Sequence, residues 1–212
     1  KMSVFEQPGE RAIVLLNAGN LATTQAVVST LKKALRTDEP NLLNVPSMFD
    51  VATLVGESMR LMIHHYSAAQ LDQSDVDFRC TFLVGGQIAG EAQRLFLVYA
   101  EGNFIETSAD TVFFQIGESK YGKPIIDRVV KPSTSLDEAL KCALVSFDST
   151  IKSNLSVGLP IDLALIRRDA LRLGFRHRID QDDRYFAAIR TGWGQGLKRV
   201  FNDLPAPDWM RL

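Results

Sequence analysis

Leu15-Leu16-Asn17-Ala18-Gly19-Asn20-Leu21-Ala22-Thr23-Thr24-Gln25 holds, in one run, the end of an apolar strand, a small-residue turn, a helix N-cap and a first helical turn. Upstream, Met2 and Val4 face residues 13–16 across Gln7-Pro8-Gly9-Glu10. Pro and Gly supply the turn dihedrals there, so the spacing predicts a β-hairpin. Downstream, Asn20 caps a helix whose apolar positions are Leu21, Val27 or Val28, Leu31 and Leu35. A polar, Pro-containing loop over 37–46 leads to Ser47, the expected cap of a second helix carrying Phe49, Val51, Leu54, Val55, Met59, Met62 and Ile63.

From Asp77 the apolar period becomes two, with Phe78, Cys80, Phe82 and Val84 on one face. The glycine-containing run 85–90 is read as a turn into a strand at 95–99, and Gly102-Asn103 as another. Short strands at 104–105 and 112–116 complete an antiparallel meander. A third helix is expected after Gly122. A fourth is signalled by the capping box of Ser135 and Glu138 and by the face Leu136, Leu140, Leu144, Phe147 and Ile151. Residues 161–166 and 171–179 read as a strand pair. Phe186, Ile189, Trp193, Leu197 and Phe201 mark a last helix before the tail Pro205-Ala206-Pro207-Asp208-Trp209. Strands and helices come in blocks, which predicts an α+β chain with two stacked sheets, or one sheet with helices outside.

The chain has 212 residues, 24 Lys and Arg against 25 Asp and Glu, and a net charge of -1. That balance gives no electrostatic case for nucleic acid or an anionic membrane. No apolar run approaches the ~18 residues of a membrane span. Cys80 and Cys142 lie far apart with no C-x-x-C, which fits a reducing, cytoplasmic setting and argues against a disulfide scaffold. Lys1 precedes Met2, so a segment is expected upstream of Lys1.

Few short motifs carry chemistry. Gly117 to Lys123 matches G-x-x-x-x-G-K, but Pro124 stands where a phosphate loop needs Ser or Thr for magnesium, and it suits the first turn of a helix better. His64 and His65 are adjacent on a helix, so their side chains diverge by ~100° and do not serve one metal from one face. Arg172, Arg176 and Arg178 share a strand face, but Asp180, Asp182 and Asp183 follow and neutralise it. No G-x-S-x-G occurs. No cofactor is expected, and these residues alone form no complete catalytic set.

The chain resembles proteasome β-type subunits, and specifically the bacterial Anbu (ancestral beta subunit) family. The resemblance is carried by residues 1–25, 77–90, 102–106, 114–125, 141–150 and 153–162, and so covers nearly the whole chain. It implies a four-layer αββα sandwich of the N-terminal-nucleophile hydrolase type, one domain over 1–212, with the first strands and the nucleophile upstream of Lys1. The implied activity is that of a threonine-type peptidase or amide hydrolase. The resemblance further implies a homo-oligomeric ring or helical assembly acting on a peptide or protein. The alternative is a self-assembling structural or binding component with little hydrolysis.

By the same resemblance, Lys1 is the lysine beside the nucleophile, where an ammonium favours the deprotonated hydroxyl. Gly19 is the glycine whose N–H helps form the oxyanion hole. Asn17 and Leu21 line the pocket for the substrate side chain, and Asn17 disfavours a strongly apolar one. The family's Gly-Ser-Gly turn is here Gly117-Glu118-Ser119, so the hydroxyl role falls on Ser119 or passes to Glu118. Its Asp-x-x-Ser is Ser153-Asn154-Leu155-Ser156, which keeps Ser156 and loses the aspartate.

Overall fold

The computed structural model describes residues 1–68 and 76–210, and the chain forms two compact units. The first comprises 1–117 with 162–178, the second 118–161 with 179–212.

In the first unit, β1 (Met2–Gln7) and β2 (Arg11–Gly19) form the expected hairpin, in register from Met2 opposite Leu16 to Gln7 opposite Arg11. β3 (Cys80–Ile88), β4 (Arg94–Val98) and β5 (Phe104–Glu106) complete an antiparallel sheet of order β1-β2-β3-β4-β5. Between β2 and β3 come α1 (Leu21–Ala34) and α2 (Met48–Ala68), which pack on each other, and α2 lies against β3 and β4. Both helix caps form as expected: Asn20 Oδ1 accepts from Thr23 N at 3.1 Å, and Ser47 Oγ accepts from Asp50 N at 3.1 Å. Ile13, Leu15, Phe82, Val84 and Phe96 from the sheet meet Val27, Met48, Val51, Val55 and Met59 from the helices in one buried core. This burial holds the end of β2 and the start of α1 rigidly together.

Three strand expectations are corrected. The run 85–90 is not a turn, because β3 continues to Ile88 and the turn follows, with Glu91 N donating to Ile88 O at 3.0 Å. Gly86 is glycine because β2 passes close beside it: a Cβ there would overlap the Ala12 carbonyl oxygen. Residues 112–116 are irregular, since β5 ends the sheet and Ser108 and Thr111 turn the chain through their paired backbone bonds. Of the expected second strand at 171–179, only β7 (Phe175–Ile179) forms, paired with β6 (Ile161–Leu165). Asp169 at φ 60° and Leu171 at φ 46° are left-handed, which breaks the extended backbone ahead of it.

The second unit contains α3 (Lys123–Val129), α4 (Leu136–Ser153) and α5 (Arg184–Asp203). Pro124 occupies the first turn of α3, and the Ser135–Glu138 capping box opens α4. Leu144, Ile161, Ile179 and Phe186 form its core. The buried face of α4 is partly polar. Leu136 and Phe147 are exposed, whereas Ser146, Asp148 and Thr150 are buried. Asp148 Oδ1 accepts from Arg190 Nε of α5 at 3.2 Å, and Lys152 Nζ stands 3.4 Å from Oδ2. A buried carboxylate requires such partners. α5 buries Phe186, but Leu197 and Phe201 on the expected apolar face are exposed. Among the described residues no helix is long and apolar enough to cross a membrane.

Candidate active site

Hairpin geometry places Lys1 opposite Asn17. The Lys1 carbonyl oxygen accepts from Asn17 N at 3.2 Å and from Asn17 Nδ2 at 3.5 Å, so one residue of β2 fixes the backbone at Lys1 while the lysine side chain stays exposed. Two residues beyond Asn17 the strand ends at Gly19, at φ 98°. A Cβ at Gly19 would lie 2.6 Å from the Arg79 carbonyl oxygen and 2.8 Å from Cys80 Cα, so no other residue fits without displacing β3. Asn20 then ties three segments: it caps α1, its Nδ2 donates to Asp77 O at 2.9 Å, and its N–H donates to Arg79 O at 3.0 Å.

The outcome is a pocket of about 500 Å³ whose walls include Lys1 and Ser3 from the hairpin's edge and Asn17 from β2. From α1 come Leu21, Thr24, Gln25 and Val28. The i, i+3, i+4, i+7 spacing of those four puts them on one helical face. Lys1, Asn17 and Leu21 are thus brought together, with Gly19 in the strand end between Asn17 and Leu21. The lining is mixed, with Ser3, Asn17, Thr24 and Gln25 beside Leu21 and Val28.

Ser119 and Ser156 belong to the second unit. Ser156 donates from both N and Oγ to Asn154 Oδ1, at 2.8 and 2.6 Å. Asn154 Nδ2 in turn donates to Glu118 Oε2 at 2.9 Å. Glu118 Oε1 accepts from Lys120 N at 2.9 Å. Ser119 sits half-buried within that turn, its carbonyl oxygen accepting from Lys123 N at 3.1 Å where α3 starts. The Ser156 hydroxyl proton is committed to Asn154, which leaves its oxygen as an acceptor. The sequence reading assigned no role to Asn154. Its signal was its place as the C-cap of α4, with the cap N–H donating to Thr150 O.

The Lys120 N–H, and after it the Asn154 amide, hold the Glu118 carboxyl below the usual glutamate range. A depressed carboxyl contributes stability above its ordinary pKa, and loses it as pH falls through the lowered value. Asn154→Ala is therefore expected to move the Glu118 titration, followed by NMR, part of the way back toward ordinary glutamate. The Lys120 N–H, with the Lys120 charge and the Ser119 N–H, keeps the remainder. An unmoved titration would show that the Asn154 bond contributes nothing.

Comparison with protein-family models gave no match, and comparison with curated proteins gave none. Among solved structures, Anbu (ancestral beta-subunit) from Yersinia bercovieri is 51% identical with a TM-score of 0.92, and the alignment covers 98% of this chain and 86% of that one. The helical assembly of the Anbu complex from Pseudomonas aeruginosa is 47% identical with a TM-score of 0.94, covering 100% and 87%. Anbu from Hyphomicrobium sp. strain MC1 is 45% identical with a TM-score of 0.89, covering 98% and 86%.

Proposed function

This chain belongs to the Anbu (ancestral beta-subunit) family of proteasome-like subunits, and from that premise we propose that it is a threonine-type peptidase or amide hydrolase of the N-terminal-nucleophile kind. The observation that carries the reading is the pocket at the end of the β1–β2 hairpin. It joins Lys1, Asn17 near the end of β2, and a helical wall at one place. In this reading the two units form one proteasome-β-like domain of four αββα layers. The nucleophile is the hydroxyl of a threonine preceding Lys1 in the full-length protein, exposed as the first residue of the mature chain. Its own α-amino group takes the hydroxyl proton, so one residue supplies both attacking oxygen and base. The Lys1 ammonium favours the deprotonated oxygen.

As the tetrahedral intermediate forms, negative charge collects on the former carbonyl oxygen, and the Gly19 N–H is assigned to stabilise it. Asn17 and Leu21 receive the substrate side chain. Ser119 and Ser156 are assigned supporting hydroxyl roles, with the Glu118–Asn154–Ser156 bonds fixing the Ser156 oxygen. The substrate is a peptide or protein met in the cytoplasm.

The deciding experiment treats the full-length protein with an epoxyketone or β-lactone probe and reads acylation of the N-terminal threonine by mass spectrometry. Labelling is expected. An intact, free N-terminal threonine that takes no probe rules the peptidase out.

The chain self-associates in this reading, as a homo-oligomeric ring or helix, which the similarity to a helical Anbu complex supports. Ser153, standing where the family pattern has an aspartate, favours a second reading: an assembling structural or binding subunit with little hydrolysis. Under that reading the assembly forms and the probe does not react.

A further inference from the structure

The apolar stripe of α5 outruns the core that covers it. Phe186 is buried, and Ile189 packs beside it against Leu144, Ile161 and Ile179. Trp193 lines a groove. The stripe then continues in the same register through Leu197, Val200 and Phe201, which are 52%, 58% and 74% exposed, and Leu204, the C-cap just past the helix, is 62% exposed. The i, i+3, i+4 spacing of the three helical residues is that of a helix face seated in an apolar groove. Soluble chains rarely leave so continuous an apolar face to water unless something covers it.

The same unit carries a groove of matching character, about 370 Å³, lined by Ile125 and Val129 of α3, Cys142 and Val145 of α4, and Trp193 of α5. Its exposed polar margin holds Glu138 and Lys141. The overhanging end of α5 is flanked by Lys198 and Arg199 and by Asp203, so each presents both signs of charge for the other. An overhang does not fill a groove that its own helix already lines one turn earlier, but it fits that of another molecule. A net charge of -1 opposes no such encounter between copies.

We propose that the C-terminal half of α5, through Leu197, Val200 and Phe201 and with the capping Leu204 beside them, docks in the α3–α4–α5 groove of a second copy of this chain. Groove and overhang adjoin on one face, so the exchange is reciprocal: each copy gives its helix end and receives its partner's, doubling the buried surface about a two-fold axis. This rests on the self-association proposed above and names the surface that pairs two copies within it.

The test compares wild-type full-length protein with Leu197→Glu/Phe201→Glu by sedimentation velocity, with Leu155→Glu, a fully exposed position outside the overhang, as control. The double variant is expected to sediment as a smaller species with an unchanged urea midpoint, while the control assembles as wild type does. Assembly of the double variant at the wild-type size overturns the inference and leaves self-association standing. A monomeric wild type overturns self-association itself. Should the double variant misfold, milder substitutions decide: Lys141→Cys and Phe201→Cys proteins are co-assembled, oxidised and digested. An intermolecular disulfide between the two new cysteines supports the docking, and its absence overturns it.

Discussion

Gly19→Ala is expected to cost about 3 kcal/mol or more of folding stability and, in the peptidase reading, to abolish probe labelling at the N-terminal threonine. The backbone at Gly19 has φ 98°, a region L-residues occupy at a cost of ~1–3 kcal/mol. The added methyl would also lie 2.6 Å from the Arg79 carbonyl oxygen and 2.8 Å from Cys80 Cα. Both contacts are backbone, at the first residue of β3 and the residue just before it, and β3 is paired to β2 along its length, so no side chain can swing aside. The strand must separate at this end. Asn20 N–H then loses Arg79 O, and the α1 cap that depends on Asn20 shifts with it. Urea denaturation measures the first effect. A loss below ~1 kcal/mol would mean that the β2 end is softer than its pairing implies. Mass spectrometry of the probe adduct in dilute urea-free buffer measures the second, because in the peptidase reading the oxyanion donor is the backbone of the displaced residue.

How much of this was legible in the sequence follows the range of the forces involved. The β1–β2 hairpin, the Asn20 cap and the Ser135–Glu138 box depend on neighbours within a few residues, and all three form where the sequence places them. The errors fall where a distant partner decides. Gly86 reads as a turn glycine until β2 is seen passing beside it. Residues 112–116 are apolar enough to read as a short strand, but a strand needs a neighbour, and the sheet ends at β5. α4 shows an apolar periodicity that points Leu136 and Phe147 inward, yet the helix buries Asp148 because Arg190, 42 residues on, reaches it.

The candidate site divides the same way. Lys1, Asn17 and Leu21 meet because hairpin register and helix cap are both local. The Glu118–Asn154–Ser156 bonds join residues 36 apart, and no periodicity encodes them. Family resemblance supplied Ser156 but not the amide that orients it. The polar contacts around Ser156 are a detail of this chain, set by which residues follow the end of α4.

Lys1→Ala separates catalysis from architecture. In the peptidase reading it slows N-terminal threonine acylation by roughly 10²- to 10³-fold, the loss typical of removing one group that stabilises charge at the reacting oxygen. The fold has little reason to respond: the structural role of Lys1 lies in its carbonyl oxygen, bonded by Asn17 N, and alanine retains that group. Its side chain is exposed at the pocket's edge, so truncation opens no core cavity. Urea midpoint and sedimentation of the variant should therefore match wild type while the labelling rate falls. Lys1→Arg is expected to recover only a fraction, because a planar guanidinium restores the charge without the compact ammonium. If Lys1→Ala labels as fast as wild type, the lysine has no part in activating the nucleophile. If neither protein labels while both assemble, the pocket is a remnant in a structural subunit. The α5 overhang then becomes the working surface of the molecule, since assembly would be the property that its sequence maintains.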